Sequence, residues 1–532
     1  MPFFRSLRRL WAALQQRLDG GAAASPLARP GRALLFIAAG WMLLWTIVPA
    51  LSIGNIPIDV PENVIWGRHF AFGYDKNPYF GAWLTWGVMR FCPGDWVSYL
   101  LSQLSVGLAL LAVWLLGLEL FRDRFRAFVA AALLLAISFF SQSATEFNDD
   151  VIELALWAHL ALFACRAIKR QRLADWIAAG LFAGLALMTK YLALAIFAPL
   201  GLLLFVTPEG RASWKKPGLY LAAALLLLLA LPNLRWLAEH DFIALRYAFG
   251  RADLHETVRW SDHIVRPLHM LAAAAGRMLV PALLLALCFR RSKEPAAAGF
   301  DRTFILLAAL LPFTLSLFFS VVSGGKFHDS WTTPYFVFAG LLLVTLHPPE
   351  PGPRRERVFL AALGGIALAT LLTFAYEHVY QQPYLARNWH FETYPGRETA
   401  EAVTRAWRRA YGRPLPFAAG HRTEACYLAY YSPDEPDAFF ELDPALSPWI
   451  DPDAVRHQGG VVLWGRGSHA PDDDHAFLRT VRLVPQPPFT FRRARAGWFA
   501  RLIGREPPEV VILYAFIPPE DAVIPPSNGD QP

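Results

Sequence analysis

The feature that most constrains this chain is a series of long apolar runs separated by short loops that carry charge. The first run covers about 33–53, and further candidates cover 98–119, 127–143, 151–167, 174–188, 191–206, 219–236, 269–289, 303–322, 332–346 and 358–377. A bilayer is crossed by roughly 17–25 apolar residues in a helix, because lipid leaves backbone polar groups no partner outside the segment. The pattern therefore predicts a polytopic α-helical membrane protein with about eleven transmembrane helices. Composition agrees: 17% of residues are charged, where soluble chains carry roughly 25%.

Loop charge gives the orientation. With the N-terminus inside, the loops expected in the cytoplasm hold Arg122, Arg124 and Arg126, then Lys169 and Arg170, Arg211 and Lys215, Arg290 and Arg291, and Arg354 and Arg355. The short loops expected outside, 144–150 and 323–331, hold no basic residue and one. This is the positive-inside pattern. It requires 174–206 to break near Thr189-Lys190-Tyr191, since one continuous helix would invert every later loop.

Four domains follow. Residues 1–32 read as a basic amphipathic segment on the cytoplasmic face, too interrupted to be a cleavable signal. Residues 33–380 form the transmembrane domain. Residues 381–516 are expected as an extracytoplasmic α/β domain, with a helix over Gly396–Tyr411 and strands at 416–419, 438–442, 460–464, 480–484 and 510–516. The Pro-rich segment 517–532 is expected to be disordered. The net charge of +7 is accounted for by the inner loops, and no nucleic-acid motif accompanies it. Cys92, Cys165, Cys288 and Cys426 form no ligand set with metal spacing. No internal repeat supports an inverted-repeat transporter.

The polar residues that could carry chemistry lie mainly in the loops expected outside. Asp59-x-x-Glu62 with Pro61 has the pattern of a capping box opening a helix. Asp59 equally suits a partly desolvated general base. Asp75-Lys76-Asn77-Pro78 reads as a surface turn, or as a phosphate site in which Lys76 supplies charge. Asp149 and Asp150 begin a helix, where the dipole favours acids; they could also hold substrate or a divalent cation, though two acids are too few to assert a metal. Lys190 snorkels to the interface or contacts a phosphate. Arg251, Lys326 and His328 fit an anion in later outer loops as well as they fit solvated turns.

In this order and on this side, these motifs resemble the GT-C membrane glycosyltransferases that use polyprenyl-phosphate sugars. They are most similar to the family 39 and aminoarabinose-transferase-like enzymes, relatives of protein O-mannosyltransferases. The resemblance rests on Asp59-x-x-Glu62, on Gly73-Tyr74-Asp75-Lys76-Asn77-Pro78, on Leu187-Met188-Thr189-Lys190-Tyr191, and on Lys326, Trp331 and Pro334. It covers about 33–380. Asn77-Pro78-Tyr79 departs from the His-Pro-Pro usual after that Lys, which bears on sugar specificity.

The resemblance implies transfer of a sugar from a polyprenyl-phosphate donor to a lipid, glycan or protein acceptor, with inversion. Asp59 would be the catalytic base. Glu62, Asp75, Lys76, Asp149, Asp150, Lys190, Arg251, Lys326 and His328 would bind substrate. The location implied is the bacterial inner membrane, with the active site and C-terminal domain periplasmic. Two other classes compete: a transporter or flippase of a lipid-linked saccharide, and a non-catalytic membrane assembly protein.

Overall fold

The computed structural model describes residues 25–254, 258–465 and 477–522. The amphipathic segment expected at 1–32 lies almost wholly outside these residues, as does most of the tail expected from 517. Among the described residues, seven helices are long and apolar enough to cross a membrane. An eighth span results if Arg124–Leu134 and Ser138–Thr145, bent by 91° at their break, are counted as one. The expected count of about eleven is not reached, and the reasons are local. Leu173–Thr189 and Tyr191–Val206 are apolar but short, and they are separated at Lys190, where the break was expected. The run at 332–346 begins as 3₁₀ helix over Asp329–Phe338, which contains Pro334, and leaves only Ala339–Leu346 as α-helix. Proline lacks the N–H that an α-helix requires.

The chain divides into two compact units. One is drawn from Met1–Thr46, Tyr99–Leu234 and Ala248–Thr373, the other from Ile47–Ser98, Arg235–Tyr247 and Phe374–Pro532. In the first unit, the helix Asp149–Arg170 is the most enclosed span, 83% buried, whereas Pro217–Glu239 and Asp262–Cys288 are 22% buried and turn their apolar faces outward. Asn148 caps the enclosed helix by accepting from the Val151 N–H at 3.2 Å, which leaves Asp149 and Asp150 in its first turn.

The second unit holds a six-stranded sheet. Its strands are β1 (Phe417–Gly420), β2 (Asp437–Phe440), β3 (Gly460–Gly465), β4 (Val484–Pro485), β5 (Phe489–Arg492) and β6 (Glu509–Ile517). The order is β2-β1-β3-β6, with β4 and β5 both on the free side of β6. β1 is parallel to both neighbours, and β6 is antiparallel to all of its own. The helix Arg422–Tyr431 is the crossover from β1 to parallel β2. The helix expected over Gly396–Tyr411 is present with those limits. Four of the five expected strands fall within a residue or two of β1, β2, β3 and β6. The fifth, at 480–484, survives only as the two-residue β4. All four cysteines are free.

Candidate active site

The site in the second unit begins with the helix Asp59–Arg68. Its N-cap position is Ile58, which has no side-chain cap bond. The expected capping box is therefore not formed, and Asp59 stands half-buried in the first turn. This helix packs on the next, Phe80–Phe91, through Gly67: a Cβ there would lie 2.3 Å from the Ala82 carbonyl oxygen. Between the two helices runs a tight turn. Gly73 and Pro78 form an antiparallel bridge, and the Tyr74 N–H donates to the Asn77 carbonyl at 3.0 Å. Tyr74 fastens the turn to the helix, stacking on Trp66 at 5.2 Å while its hydroxyl donates to the Trp66 carbonyl at 2.7 Å. Trp66 lies one turn beyond Glu62, so the turn's tip, Asp75-Lys76, is presented to Glu62.

The result is a four-member ion cluster. The Lys76 ammonium donates to both Glu62 carboxylate oxygens, at 2.7 and 3.0 Å. Arg422 donates from Nη1 to Glu62 Oε1 at 2.6 Å and from Nη2 to Asp75 Oδ2 at 2.5 Å. Glu62 and Asp75 are buried and the two cations nearly so. Lys76 also lies 5.8 Å from the Trp66 ring centroid and 5.7 Å from that of Tyr247, distances at which a cation is attracted to a ring face. An ammonium carries three donors, and Glu62 takes two of them.

Burial pushes the Glu62 carboxyl up, but Lys76 and Arg422 override it and hold it below the usual range. Asp75 is raised: burial outweighs the pull of Arg422, and the neighbouring Glu62 adds to the rise. Its Oδ1 is buried without a hydrogen-bond partner among the described residues. Burial alone would lower Lys76, yet Glu62 leaves it above its ordinary value. The cluster is neutral with both acids ionised and becomes cationic if Asp75 takes a proton.

The first unit holds the remaining candidates. The Lys190 ammonium donates to Asp150 Oδ1 at 2.6 Å. Asp149 and Asp150 are both buried, as is Glu153 one turn further along. Neither Glu153 oxygen has a hydrogen-bond partner among the described residues. Lys326 is exposed, its N–H bonded to the Ala252 carbonyl at 2.9 Å. His328 Nε2 lies 3.1 Å from the Arg251 carbonyl oxygen, and burial together with the Arg251 charge lowers its pKa. Thus Glu62, Asp75 and Lys76 are brought together, as are Asp150 and Lys190, and Arg251 with His328. Among the described residues, no group of three or more His, Cys, Asp or Glu side chains is placed to hold a metal ion.

Arg422 is the member that sequence reasoning missed. It opens the helix following β1, at the carboxyl end of a parallel strand, where ligand-binding residues commonly gather in α/β sheets. The sequence signal is confined to the turn itself and does not name the partner. Gly420 has φ +110°, and a Cβ there would meet the Leu463 carbonyl oxygen at 2.2 Å. A strand followed by Gly420-His421-Arg422 marks such a turn.

Comparison with known proteins finds similarity to membrane glycosyltransferases. The Dolichyl-phosphate-mannose-protein mannosyltransferase family matches residues 76–236. The lipopolysaccharide core galacturonosyltransferase RgtB of Rhizobium johnstonii is 24% identical over 312 residues, 56% of this chain and 62% of the relative. An undecaprenyl phosphate-α-4-amino-4-deoxy-L-arabinose arabinosyl transferase of Proteus mirabilis is 28% identical over 275 residues, 47% of this chain and 46% of the relative. The chain thus spans less than two thirds of these curated relatives. The crystal structure of ArnT from Cupriavidus metallidurans bound to undecaprenyl phosphate superposes with a TM-score of 0.56 at 17% identity, covering 91% of this chain and 98% of that one. The chain has a GT-C fold related to that of the aminoarabinose transferases, as its sequence motifs implied.

Proposed function

We propose that this chain transfers a sugar from a polyprenyl-phosphate donor to a lipid, glycan or protein acceptor, with inversion. The reaction takes place at the periplasmic face of the bacterial inner membrane. Residues 33–380 are the catalytic membrane domain and 381–516 an extracytoplasmic domain that contributes Arg422. The observation that carries this reading is Lys76: a nearly buried ammonium, bounded by two aromatic rings, with one donor unspent on Glu62. Such a group can stabilise the negative charge that a phosphate gains as it leaves.

Asp59 accepts the acceptor hydroxyl's proton as its oxygen forms a bond to the anomeric carbon. The bond from that carbon to the phosphate oxygen breaks, and the polyprenyl phosphate departs with the electron pair. Glu62 and Arg422 position Lys76 and Asp75. Asp149, Asp150, Lys190, Arg251, Lys326 and His328 contribute further contacts to substrate. Asp150 and Glu153, buried within a span, are the observation that favours a transporter instead; the pairing of Asp150 with Lys190 weighs against it.

The test is direct. Purified full-length protein in detergent micelles is supplied with a panel of undecaprenyl-phosphate sugars and a membrane lipid extract, and products are followed by mass spectrometry. A micelle has no two sides, so a transporter yields no product. An acceptor gaining one sugar mass supports transfer. Donor binding without product from any sugar overturns it.

A further inference from the structure

A second polar site lies in the C-terminal region, away from the ion cluster in sequence and unused by the proposed chemistry. It is a groove of about 650 Å³ whose lining includes Gly54, Arg492, Arg495, Arg501 and Glu506. One further lining residue, Arg493, is already spent: it is buried and donates to the carbonyls of Gln382, Ala386 and Arg387. The others are not fixed in that way. Arg492 and Arg495 pair with Glu509 at 3.1 Å and Glu506 at 2.9 Å, both acids being more than half exposed. Exposed pairs of this kind are weak, so either cation can be turned to another anion at little cost. The Arg501 guanidinium makes only a 3.4 Å bond to the Gly497 carbonyl within its own helix.

The helix that lines this groove with Gly497, Ala500 and Arg501 has, on its other face, the character of a membrane interface. The helix Gly497–Ile503 buries none of its residues fully. Leu502 is 76% exposed and Trp498 48% exposed, an arrangement a water-facing domain does not favour. Trp498 donates its indole N–H to the Leu51 carbonyl at 2.8 Å, in the last turn of the span Pro30–Ser52. Phe499 lies against Tyr380 and Tyr384, at 6.1 and 6.3 Å, near the end of the span Pro353–Leu385. The helix is therefore tied to the ends of two spans. Trp and Tyr gather at the level of lipid headgroups, and an exposed Leu and Trp beside Arg is the pattern of an interfacial helix.

We propose that this groove binds the phosphate headgroup of an anionic membrane lipid. Arg492, Arg495 and Arg501 read the phosphate, and Trp498 and Leu502 lie against the lipid's apolar part. Each basic residue near an anionic surface is worth enough to change lipid affinity several-fold.

The full chain is purified in phosphatidylcholine nanodiscs with and without phosphatidylglycerol. Retained lipid is counted by native mass spectrometry, and thermal midpoints are recorded. The parent should retain phosphatidylglycerol in preference to phosphatidylcholine and melt higher in its presence. The Arg495→Gln/Arg501→Gln variant should bind it roughly 30-fold more weakly, with its phosphatidylcholine midpoint unchanged. The Lys counterpart at both positions should recover part of the binding, which shows that charge rather than a damaged fold is responsible. Equal phosphatidylglycerol retention by the Gln variant overturns the assignment. So does equal retention of both lipids by the parent. A midpoint rise with inorganic phosphate that matches the rise with phosphatidylglycerol overturns the lipid as the source of the phosphate.

Discussion

The cluster around Glu62 and the group around Asp150 use similar residues to opposite ends. In the first, two acids and two cations are cross-linked, with Arg422 spanning both carboxylates. In the second, Lys190 donates to Asp150, and Glu153 stays buried with both oxygens unpartnered among the described residues. The first arrangement links all four members through hydrogen bonds that converge on Glu62 and Asp75. The second leaves the Glu153 carboxyl without a hydrogen bond among the described residues on the most enclosed span. Buried charge is tolerated when paired and costly when not, so the first group holds a geometry while the second carries, at Glu153, a buried carboxyl with no hydrogen bond among the described residues.

Four measurements break or sharpen that contrast. The largest effect is expected on turnover. Asp59→Asn should leave the protein folded in detergent and lower transfer by roughly 10²–10⁴-fold, the contribution of a general base. Asp150→Asn, tested beside it, should lower transfer less. Wild-type turnover of folded Asp59→Asn removes Asp59 from the chemistry.

Next comes stability. Arg422→Met strands the buried Asp75 carboxylate and leaves Glu62 to Lys76, and should cost about 3–5 kcal/mol, read as a fall in thermal midpoint. Lys190→Met removes a single charged contact, that to Asp150, where Arg422→Met removes two, and should cost less. Equal losses would erase the distinction between the two groups.

The third effect is one of pH. Glu62 is held below its ordinary pKa, so its stabilising contribution is full above that value and lost as pH falls through the folded one. Asp75 is raised, so it favours the folded state at low pH and opposes it as pH rises through its folded value. Glu62→Gln should therefore flatten the acid limb of the stability profile, whereas Asp75→Asn should steepen it. Superimposable profiles would contradict the assignment of opposite shifts. The smallest effect is expected at Glu153. Glu153→Met removes a buried carboxyl with no partner and should leave the thermal midpoint unchanged or slightly raised. A marked fall would reveal a partner for it.

The sequence made legible whatever is set by periodicity or by short-range pattern. The long spans are visible because 20-odd apolar residues have few other uses, and the helix at Gly396–Tyr411 because its polar and apolar faces alternate cleanly. The gathering of Glu62, Asp75 and Lys76 was legible because they lie within fifteen residues. The expected span count is not reached where length alone does not decide, as at Asp329–Phe338, where Pro334 and 3₁₀ geometry intervene. Arg422 was not legible as a partner of Glu62, because no local spacing encodes a contact made by the crossover between two parallel strands. The lipid-facing helix Gly497–Ile503 escaped for a related reason: seven residues are too few to show a period.

The bond between Arg422 and Glu62 joins residues 360 positions apart, and this has a consequence for biogenesis. Chains emerge from the ribosome N-terminus first, and distant contacts form late. For most of its synthesis, the segment around Glu62 and Asp75 is already made while the guanidinium that compensates both acids does not yet exist. Until then Glu62 has Lys76 as its charge partner, and the bridge from Glu62 to Asp75 forms only once Arg422 has been made. Premature termination anywhere before residue 422 would yield a chain that carries Glu62 and Asp75 yet lacks the guanidinium that bridges them.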